Sequence, residues 1–161
     1  MIAFHPIYVH ELPDNHRFPM EKYDLLPRQL IHEGTVHQNQ FFEPDIISEN
    51  YVEAVHSKVY LKRLKNLELT RKEQRKSGFM HNEMLIRREW TIMEGTRKAA
   101  ELALKNAIAF NIAGGTHHAF SDRGEGFCLL NDHVISANWL LENKKYIIGS
   151  ISKGKKAHPS N

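Results

Sequence analysis

The chain has 161 residues, of which 41% are hydrophobic and 25% charged, a composition typical of one globular domain. It has no apolar run of the roughly 18 residues that a membrane span needs and no signal-peptide pattern at its start, so we expect a cytoplasmic protein without membrane contact. Its one cysteine, Cys128, excludes an internal disulfide and a cysteine-built zinc site.

The formal net charge of +3 is unevenly distributed along the chain. Five of the 22 basic residues, all of them lysines, lie after Asn143, where there is no acidic residue. The rest of the chain is therefore mildly acidic, and we interpret the lysine-rich end as a solvated tail rather than a phosphate-binding arm. We expect no nucleic-acid partner.

The first half of the chain predicts one strand followed by helices. Residues 2–8 are expected to form a short strand that leads into a polar loop. Helices are predicted at residues 21–32, which Pro27 kinks or splits in two, at 48–56, which Ser48 caps, at 59–67, and at 70–77, where Thr70 and Glu73 have capping-box spacing and Gly78 ends the helix.

The second half predicts an alternation of helices and strands. A long helix over residues 82–106 has a stripe at steps of three and four: Ile86, Trp90, Met93, Arg97, Ala100 and Leu104. Residues 107–113 form a short apolar run before two glycines, typical of a buried strand in a parallel sheet. A helix over 132–142, with Val134, Ala137 and Leu141 on its apolar face, and a strand over 146–151 follow. This order favours an α/β fold with a parallel sheet.

The most informative segment is the loop after the predicted strand, which contains Gly114, Gly115, His117 and His118. Open parallel sheets bind ligands outside the carboxyl ends of their strands, so side chains on this loop are candidate site residues. The two glycines permit a sharp turn that can bring neighbouring histidines to one pocket. Histidine takes up and releases a proton near neutral pH. Residue type alone leaves an acid–base role and a structural role open.

Several short motifs resemble those of the histone deacetylase superfamily, including its bacterial deacetylase-like, class IV and acetylpolyamine-hydrolase branches. The signature motifs are Gly-Gly-Thr-His-His-Ala at residues 114–119, Gly-Phe-Cys at 126–128 and Asn-Asp at 131–132. Similar to the family's amino-terminal motifs are His-Arg-Phe-Pro-Met-Glu-Lys-Tyr at 16–23, Ala-Val-His-Ser at 54–57 and Tyr-Leu at 60–61. The likeness extends over about residues 3–142.

By this resemblance, residues 1–142 are the amino-terminal part of a deacetylase domain and residues 143–161 a basic tail outside the family. The fold implied is the arginase/deacetylase-like α/β fold, a parallel sheet flanked by helices. The reaction implied is hydrolysis of acetyl-lysine or a similar acetylated amine by zinc-bound water. His118 would be the general base and acid, and His117 its partner, stabilising charge around the water and the transition state.

The resemblance also assigns a substrate channel and its support. Phe127 would be one wall of the channel for the acetyl-lysine stem, and the Gly126 backbone would approach that stem. Asn131 and Asp132 would support the site, with Asp132 orienting a histidine by a hydrogen bond. From residue type alone, Phe127 could instead be a core residue, and Asn131 or Asp132 could cap the following helix.

The part of the family pattern that supplies the metal ligands does not match. The family's next strand ends in Asp-x-Asp-x-His, whereas residues 146–154 read Tyr-Ile-Ile-Gly-Ser-Ile-Ser-Lys-Gly. A serine hydroxyl is not a usual zinc ligand, and after Glu142 the only residue of a usual ligand type is His158. We therefore expect a truncated or frame-disrupted product that holds no metal and is inactive alone.

Two alternatives stay open at this point. The chain could be a non-catalytic fragment that binds or complements a separately made carboxyl-terminal half. It could also be an unrelated cysteine–histidine hydrolase that uses Cys128 and His118.

Overall fold

A computed structural model describes residues 1–144 of the chain. The strands are β1 (Ile2–Ala3), β2 (Phe41–Phe42) and β3 (Phe110–Asn111). The helices are α1 (Lys22–His32), α2 (Glu49–Glu53), α3 (Lys58–Lys65), α4 (Arg71–Ser77), α5 (Glu83–Asn106) and α6 (Asp132–Lys144), with 3₁₀ turns at Pro6–Tyr8 and Gln38–Gln40. The strand predicted at residues 146–151 lies outside the described residues.

The three strands form a parallel sheet in the order β2-β1-β3. Both residues of the central strand β1 are buried, and α5 packs against β1 and β3. The prediction of an α/β fold with a parallel sheet is therefore confirmed. No helix within this part of the chain is both long and apolar enough to cross a membrane.

The predicted helices are present, and their ends follow local capping. In α4, Thr70 and Glu73 form the predicted capping box, and Gly78 ends the helix in the left-handed region at φ +83°. Pro27 lies inside α1, which continues unbroken to His32, so the helix is not split. Ser48 precedes α2 with extended backbone, but its side chain makes no capping hydrogen bond, which corrects the predicted cap.

The buried face of α5 is wider than the predicted stripe. Trp90 and Met93 are buried as predicted, but so are Leu85 and Ile92, which lie outside the stripe. Leu104 near the end of the helix is 45% exposed, so the stripe does not reach that far. The middle of α5 is covered on most sides because it packs on the sheet and also against α6, the 3₁₀ turn at Pro6–Tyr8 and α3.

Two sequence predictions near β3 and α6 are wrong about burial. The run before the glycines is not a buried strand, because only Phe110–Asn111 pair as β3 and Ile108 and Phe110 are exposed. Within the described part of the sheet, β3 is the outer strand beside β1, which leaves these side chains uncovered. On α6, the buried hydrophobic residues are Ile135 and Trp139, and the predicted apolar face around Val134 and Leu141 points away from the core; both side chains are exposed.

Candidate functional site

The candidate site is the loop that leaves the carboxyl end of β3 and runs to the start of α6. Its first turn is fixed by glycines: Gly115 has φ +96°, a conformation that side chains disfavour. Gly114 is needed for close approach, because a Cβ there would lie 3.0 Å from Thr96 Oγ1 and 3.1 Å from Asp132 Oδ2. The two glycines therefore allow the loop backbone to lie against α5 and α6. They form the sharp turn that the sequence predicted.

Asp132 anchors this turn. Its fully buried carboxylate accepts hydrogen bonds from the backbone N–H of Gly115 (2.9 Å) and Thr116 (2.8 Å) and from Thr116 Oγ1 (2.9 Å). Thr96 Oγ1 on α5 donates a fourth, at 2.6 Å. A buried carboxylate with this many donors is well satisfied, so the arrangement holds the loop rigidly between α5 and α6.

The network continues from Thr96 to the end of β3. Asn111 Nδ2 donates to Thr96 Oγ1 (2.8 Å) and to the Ile92 carbonyl (2.9 Å). The sequence interpretation gave no role to Asn111 and Thr96. The available signals were a polar residue, Asn111, at the end of the predicted strand and a threonine next to Gly95 in the middle of the long helix. The hydrogen bonds of Asp132 go to the loop backbone and to threonines and not to a histidine, which corrects the predicted hydrogen bond. Asp132 instead supports His117 and His118 through the backbone of the turn.

His117 and His118 are exposed side chains placed side by side on this turn. Their ring centroids lie 4.3 Å apart with 41° between the planes. His117 Nδ1 donates to the Gly115 carbonyl at 2.8 Å, because a carbonyl oxygen can only accept, and this fixes the proton of a neutral ring on Nδ1. His117 Nε2 is then the nitrogen able to accept a proton. The His133 ring, which the sequence interpretation did not consider, stacks on His117 at 5.9 Å.

The Gly126–Phe127 segment approaches this pair through Gly126. Gly126 has φ +56°, and a Cβ there would meet the His118 ring carbon Cγ at 3.1 Å, so the glycine makes room for His118. Phe127 also has a left-handed φ of +65°, which is uncommon for a bulky residue and is held by its N–H donating to the Ser77 carbonyl at 2.9 Å. The structure thus places Gly126 against His118, and Phe127 follows it in the chain with its ring turned toward Gly78.

The Phe127 ring belongs to an aromatic cluster rather than standing free. It packs against Phe18 (4.9 Å between centroids) and Phe79 (5.5 Å), and the Arg17 guanidinium lies 4.9 Å from its centroid. Part of the ring is buried in this cluster, which agrees with the alternative interpretation of Phe127 as a packing residue. The His16–Tyr23 motif therefore meets the Gly-Phe-Cys motif through Phe18.

Asn131 connects the loop to α6 and to the segment between α2 and α3. Its Oδ1 accepts from the Val134 N–H at 3.1 Å, so Asn131 caps α6, which was the alternative interpretation of this residue. Its Nδ2 also donates to the carbonyls of Ala119 (3.1 Å) and His117 (3.4 Å). Its backbone N–H donates to Nε2 of the buried His56 at 3.0 Å.

Cys128 is not built as a nucleophile. The side chain is buried, and burial raises the pKa of its thiol to about 11, so it is protonated at neutral pH. Its Sγ donates to the Gly126 carbonyl at 3.4 Å. Reactive cysteines instead have a lowered pKa and partial exposure, which argues against the cysteine–histidine hydrolase alternative.

A metal centre is not formed by the residues that the structure describes. Within residues 1–144, no three side chains of His, Cys, Asp or Glu are grouped so that they could hold a metal ion. His117 and His118 are two neighbouring imidazoles, and zinc sites in proteins use at least three protein ligands.

Comparison with protein families gives one match that covers most of the chain. The family model for the histone deacetylase domain matches residues 16–149. An uncharacterized protein of Picosynechococcus sp. is 39% identical over 135 residues, which are 84% of this chain and 45% of the relative. The acetoin utilization protein AcuC of Staphylococcus aureus is 25% identical over 147 residues, or 84% of this chain and 38% of AcuC.

Solved structures show the same fold. The crystal structure of an HDAC homolog from Aquifex aeolicus superposes with a TM-score of 0.71 at 23% identity, covering 88% of this chain and 40% of that one. The crystal structure of an HDAC homolog complexed with SAHA gives a TM-score of 0.72 over the same shares. The predicted arginase/deacetylase-type α/β fold is thereby confirmed. The chain spans less than half the length of each of these relatives, and the division predicted at residue 142 stays a prediction.

Proposed function

Since the chain belongs to the histone deacetylase family, we propose that it supplies the acid–base part of a deacetylase site for an acetylated amine such as acetyl-lysine. His118 takes a proton from the attacking water and returns it to the leaving amine, and His117 stabilises the charge that develops beside it. The observation that carries this proposal is the side-by-side placement of the two rings, 4.3 Å between centroids, on the loop at the carboxyl end of β3.

The rigidity of the turn supports this role. General acid–base catalysis needs the reacting nitrogen held in place, and here the backbone on the β3 side of His117 is fixed by the buried Asp132 carboxylate. His117 Nδ1 is committed to the Gly115 carbonyl, so the ring cannot rotate without breaking that bond. Nε2 of His117 is therefore the ring nitrogen that stays free to accept a proton.

Gly126 and Phe127 are proposed as part of the channel for the substrate. Gly126 lies against His118, and the exposed part of the Phe127 ring, one residue further along the chain, offers an apolar wall to the methylene stem of an acylated lysine. The HDAC homolog of similar fold whose structure contains SAHA favours a ligand channel in this family.

The described residues do not fit the zinc ion that the family resemblance implies. Two adjacent imidazoles without a third ligand are present within residues 1–144, so we derive no step through a metal. We propose that the metal ligands of an active site come from elsewhere and that the 161-residue chain alone has no deacetylase activity. With Cys128 kept as a buried thiol, we also propose a reducing, cytoplasmic location.

A second function follows from the exposed apolar side chains around β3 and α6. Ile108 and Phe110 on the β3 side and Val134 and Leu141 on α6 are all exposed, at 48–59%. The outer edge of β3 has no partner strand within the described residues. An uncovered strand edge with apolar neighbours favours further pairing. We propose that a carboxyl-terminal half of a deacetylase domain, made as a separate chain, docks there and completes the site.

Mixing the purified 161-residue chain with the corresponding carboxyl-terminal part of the Picosynechococcus relative tests both statements. We expect no release of acetate from acetyl-lysine peptides by either part alone and zinc-dependent release by the mixture. A mixture of the carboxyl-terminal part with a Phe110→Lys variant serves as the control, because a charge on the β3 edge should block docking. Metal-dependent activity of the 161-residue chain alone would contradict the proposal.

A further inference from the structure

His56 is a buried histidine outside the sequence motif that contains the candidate catalytic pair. Its side chain is 2% exposed, and its Nε2 accepts the backbone N–H of Asn131 at 3.0 Å. An amide N–H can only donate, so Nε2 carries the lone pair and the ring proton is on Nδ1. Burial lowers the pKa of the His56 ring, an effect that the carbonyls of Phe120 and Ser121 partly offset, and the neutral ring remains an acceptor at neutral pH.

Asn131, whose backbone N–H donates to His56, also makes hydrogen bonds to the loop that carries His117 and His118. Asn131 donates from Nδ2 to the carbonyls of His117 (3.4 Å) and Ala119 (3.1 Å), the residues on either side of His118. The direction of its side chain is set by its own backbone, which the bond to His56 fixes. A shift of Asn131 would therefore be transmitted to the peptide groups that carry both candidate catalytic rings.

Neighbours of His56 fix the same loop at two more points. The Ser57 N–H donates to the Ser121 carbonyl at 2.8 Å, and the Tyr60 hydroxyl donates to the Leu129 carbonyl at 2.9 Å. Burial also raises the pKa of Tyr60 well above its usual range, so its hydroxyl stays a donor. The segment from His56 to Tyr60 thus contacts the loop near its middle and near its end.

From this geometry we infer that His56 is a positioning residue: it fixes Asn131, and through Asn131 it sets the placement of His117 and His118. This inference rests on the proposed function for the meaning of that placement, but the placement itself can be measured without any activity. A purely structural histidine would stabilise the fold without a specific effect on the two exposed rings.

The direct test is nuclear magnetic resonance of the ¹⁵N-labelled 161-residue chain. We expect a scalar coupling across the hydrogen bond between the Asn131 amide nitrogen and His56 Nε2, and ¹⁵N shifts of a His56 ring protonated at Nδ1. The Asn131 amide should exchange roughly tenfold faster in His56→Ala, the change expected for losing one buried hydrogen bond. Absence of the coupling, or a His56 ring protonated at Nε2, would overturn the inference.

Two variants keep the test informative if His56→Ala folds poorly. A glutamine can present its side-chain oxygen near the position of Nε2, so His56→Gln should retain most of the Asn131 protection, whereas His56→Asn should not. Asn131→Asp keeps the side-chain oxygen that caps α6 and the backbone N–H that donates to His56, but it removes the Nδ2 donor group. It should shift the ring signals of His117 and His118 while the coupling to His56 persists.

His10→Ala is the matched control, because it removes another buried imidazole (7% exposed) from the segment before α1. We expect the His117 and His118 ring signals to move in His56→Ala and to stay in place in His10→Ala at equal loss of stability. Equal shifts in both variants would show a general packing effect and overturn the inference. Failure of the proposed function looks different: the ring signals would still depend on His56, but the mixture with a carboxyl-terminal half would show no deacetylation.

Discussion

The contact between Gly78 and Phe127 gives a prediction that can be worked from the structure. A Cβ added at Gly78 would lie 2.6 Å from both Cδ1 and Cε1 of the Phe127 ring, closer than real Cβ contacts. Gly78 also has φ +83°, which disfavours a side chain. Gly34 offers a matched control, because it has a similar φ of +68° but nothing within 4 Å of an added Cβ.

The two alanine substitutions therefore differ by the clash alone. Both lose about 1–2 kcal/mol of unfolding free energy from the left-handed backbone. Only Gly78→Ala adds the cost of forcing a ring aside in a packed cluster, about 1–3 kcal/mol. We expect Gly78→Ala to be destabilised by roughly 2–5 kcal/mol in total and to exceed Gly34→Ala by about 1–3 kcal/mol.

Urea unfolding of the 161-residue chain, followed by tryptophan fluorescence, measures the difference. The midpoint should fall further in Gly78→Ala than in Gly34→Ala, with little change in m. Combining Gly78→Ala with Phe127→Leu should cost less than the sum of the single changes, because the smaller side chain relieves the clash. Equal losses in the two glycine variants, or strict additivity in the double variant, would refute the placement of Phe127 against Gly78.

Three further predictions concern the anchor, acid stability and metal. Asp132→Asn should lower the unfolding free energy by about 2–3 kcal/mol, since an amide nitrogen would face donors in place of an oxygen; wild-type stability in urea would contradict this. Burial lowers the pKa of His81 from 6.5 to about 4, so the unfolded chain binds the extra proton first and stability should fall as the pH drops from about 6.5 toward 4. Allowing for partial solvent screening, this loss is about 2 kcal/mol, and urea titrations in which His81→Gln is as acid-sensitive as the wild type would refute it. After dialysis, elemental analysis should find well under one zinc ion per chain, and stoichiometric zinc would contradict the absence of a metal site in residues 1–144.

Local signals predicted much of this structure. Capping at Thr70, the ends of α5 and the Gly114–Gly115 turn all follow from short-range chemistry that the sequence displays. The family motifs pointed to one loop, on which the structure places the His117 and His118 rings side by side with Gly126 against His118. The caps and the turn depend on residues close in sequence, and the site residues lie in family motifs of a few consecutive positions.

The failures come from long-range packing. The apolar run with Ile108 and Phe110 looked like a buried strand, but hydrophobicity cannot tell whether a strand has a neighbour on its outer side. On α6, the choice between the Val134–Leu141 face and the Ile135–Trp139 face depends on where α5 lies. The Ala-Val-His-Ser motif at 54–57 did not reveal the contact that His56 makes, because its partner Asn131 is 75 positions away in the sequence.

Turnover of variants in a completed domain tests the central claim most directly, namely that the His117–His118 pair performs the acid–base chemistry. The domain would join residues 1–142 of this chain to the carboxyl-terminal part of the Picosynechococcus relative. We expect His118→Ala to lower kcat for an acetyl-lysine peptide by roughly 10²–10⁴-fold with little change in KM, and His117→Ala to lower kcat as well. His133→Ala, which removes the ring stacked on His117, should change kcat less than about tenfold, because it is given no part in proton transfer. Full activity in both His117→Ala and His118→Ala would contradict the account.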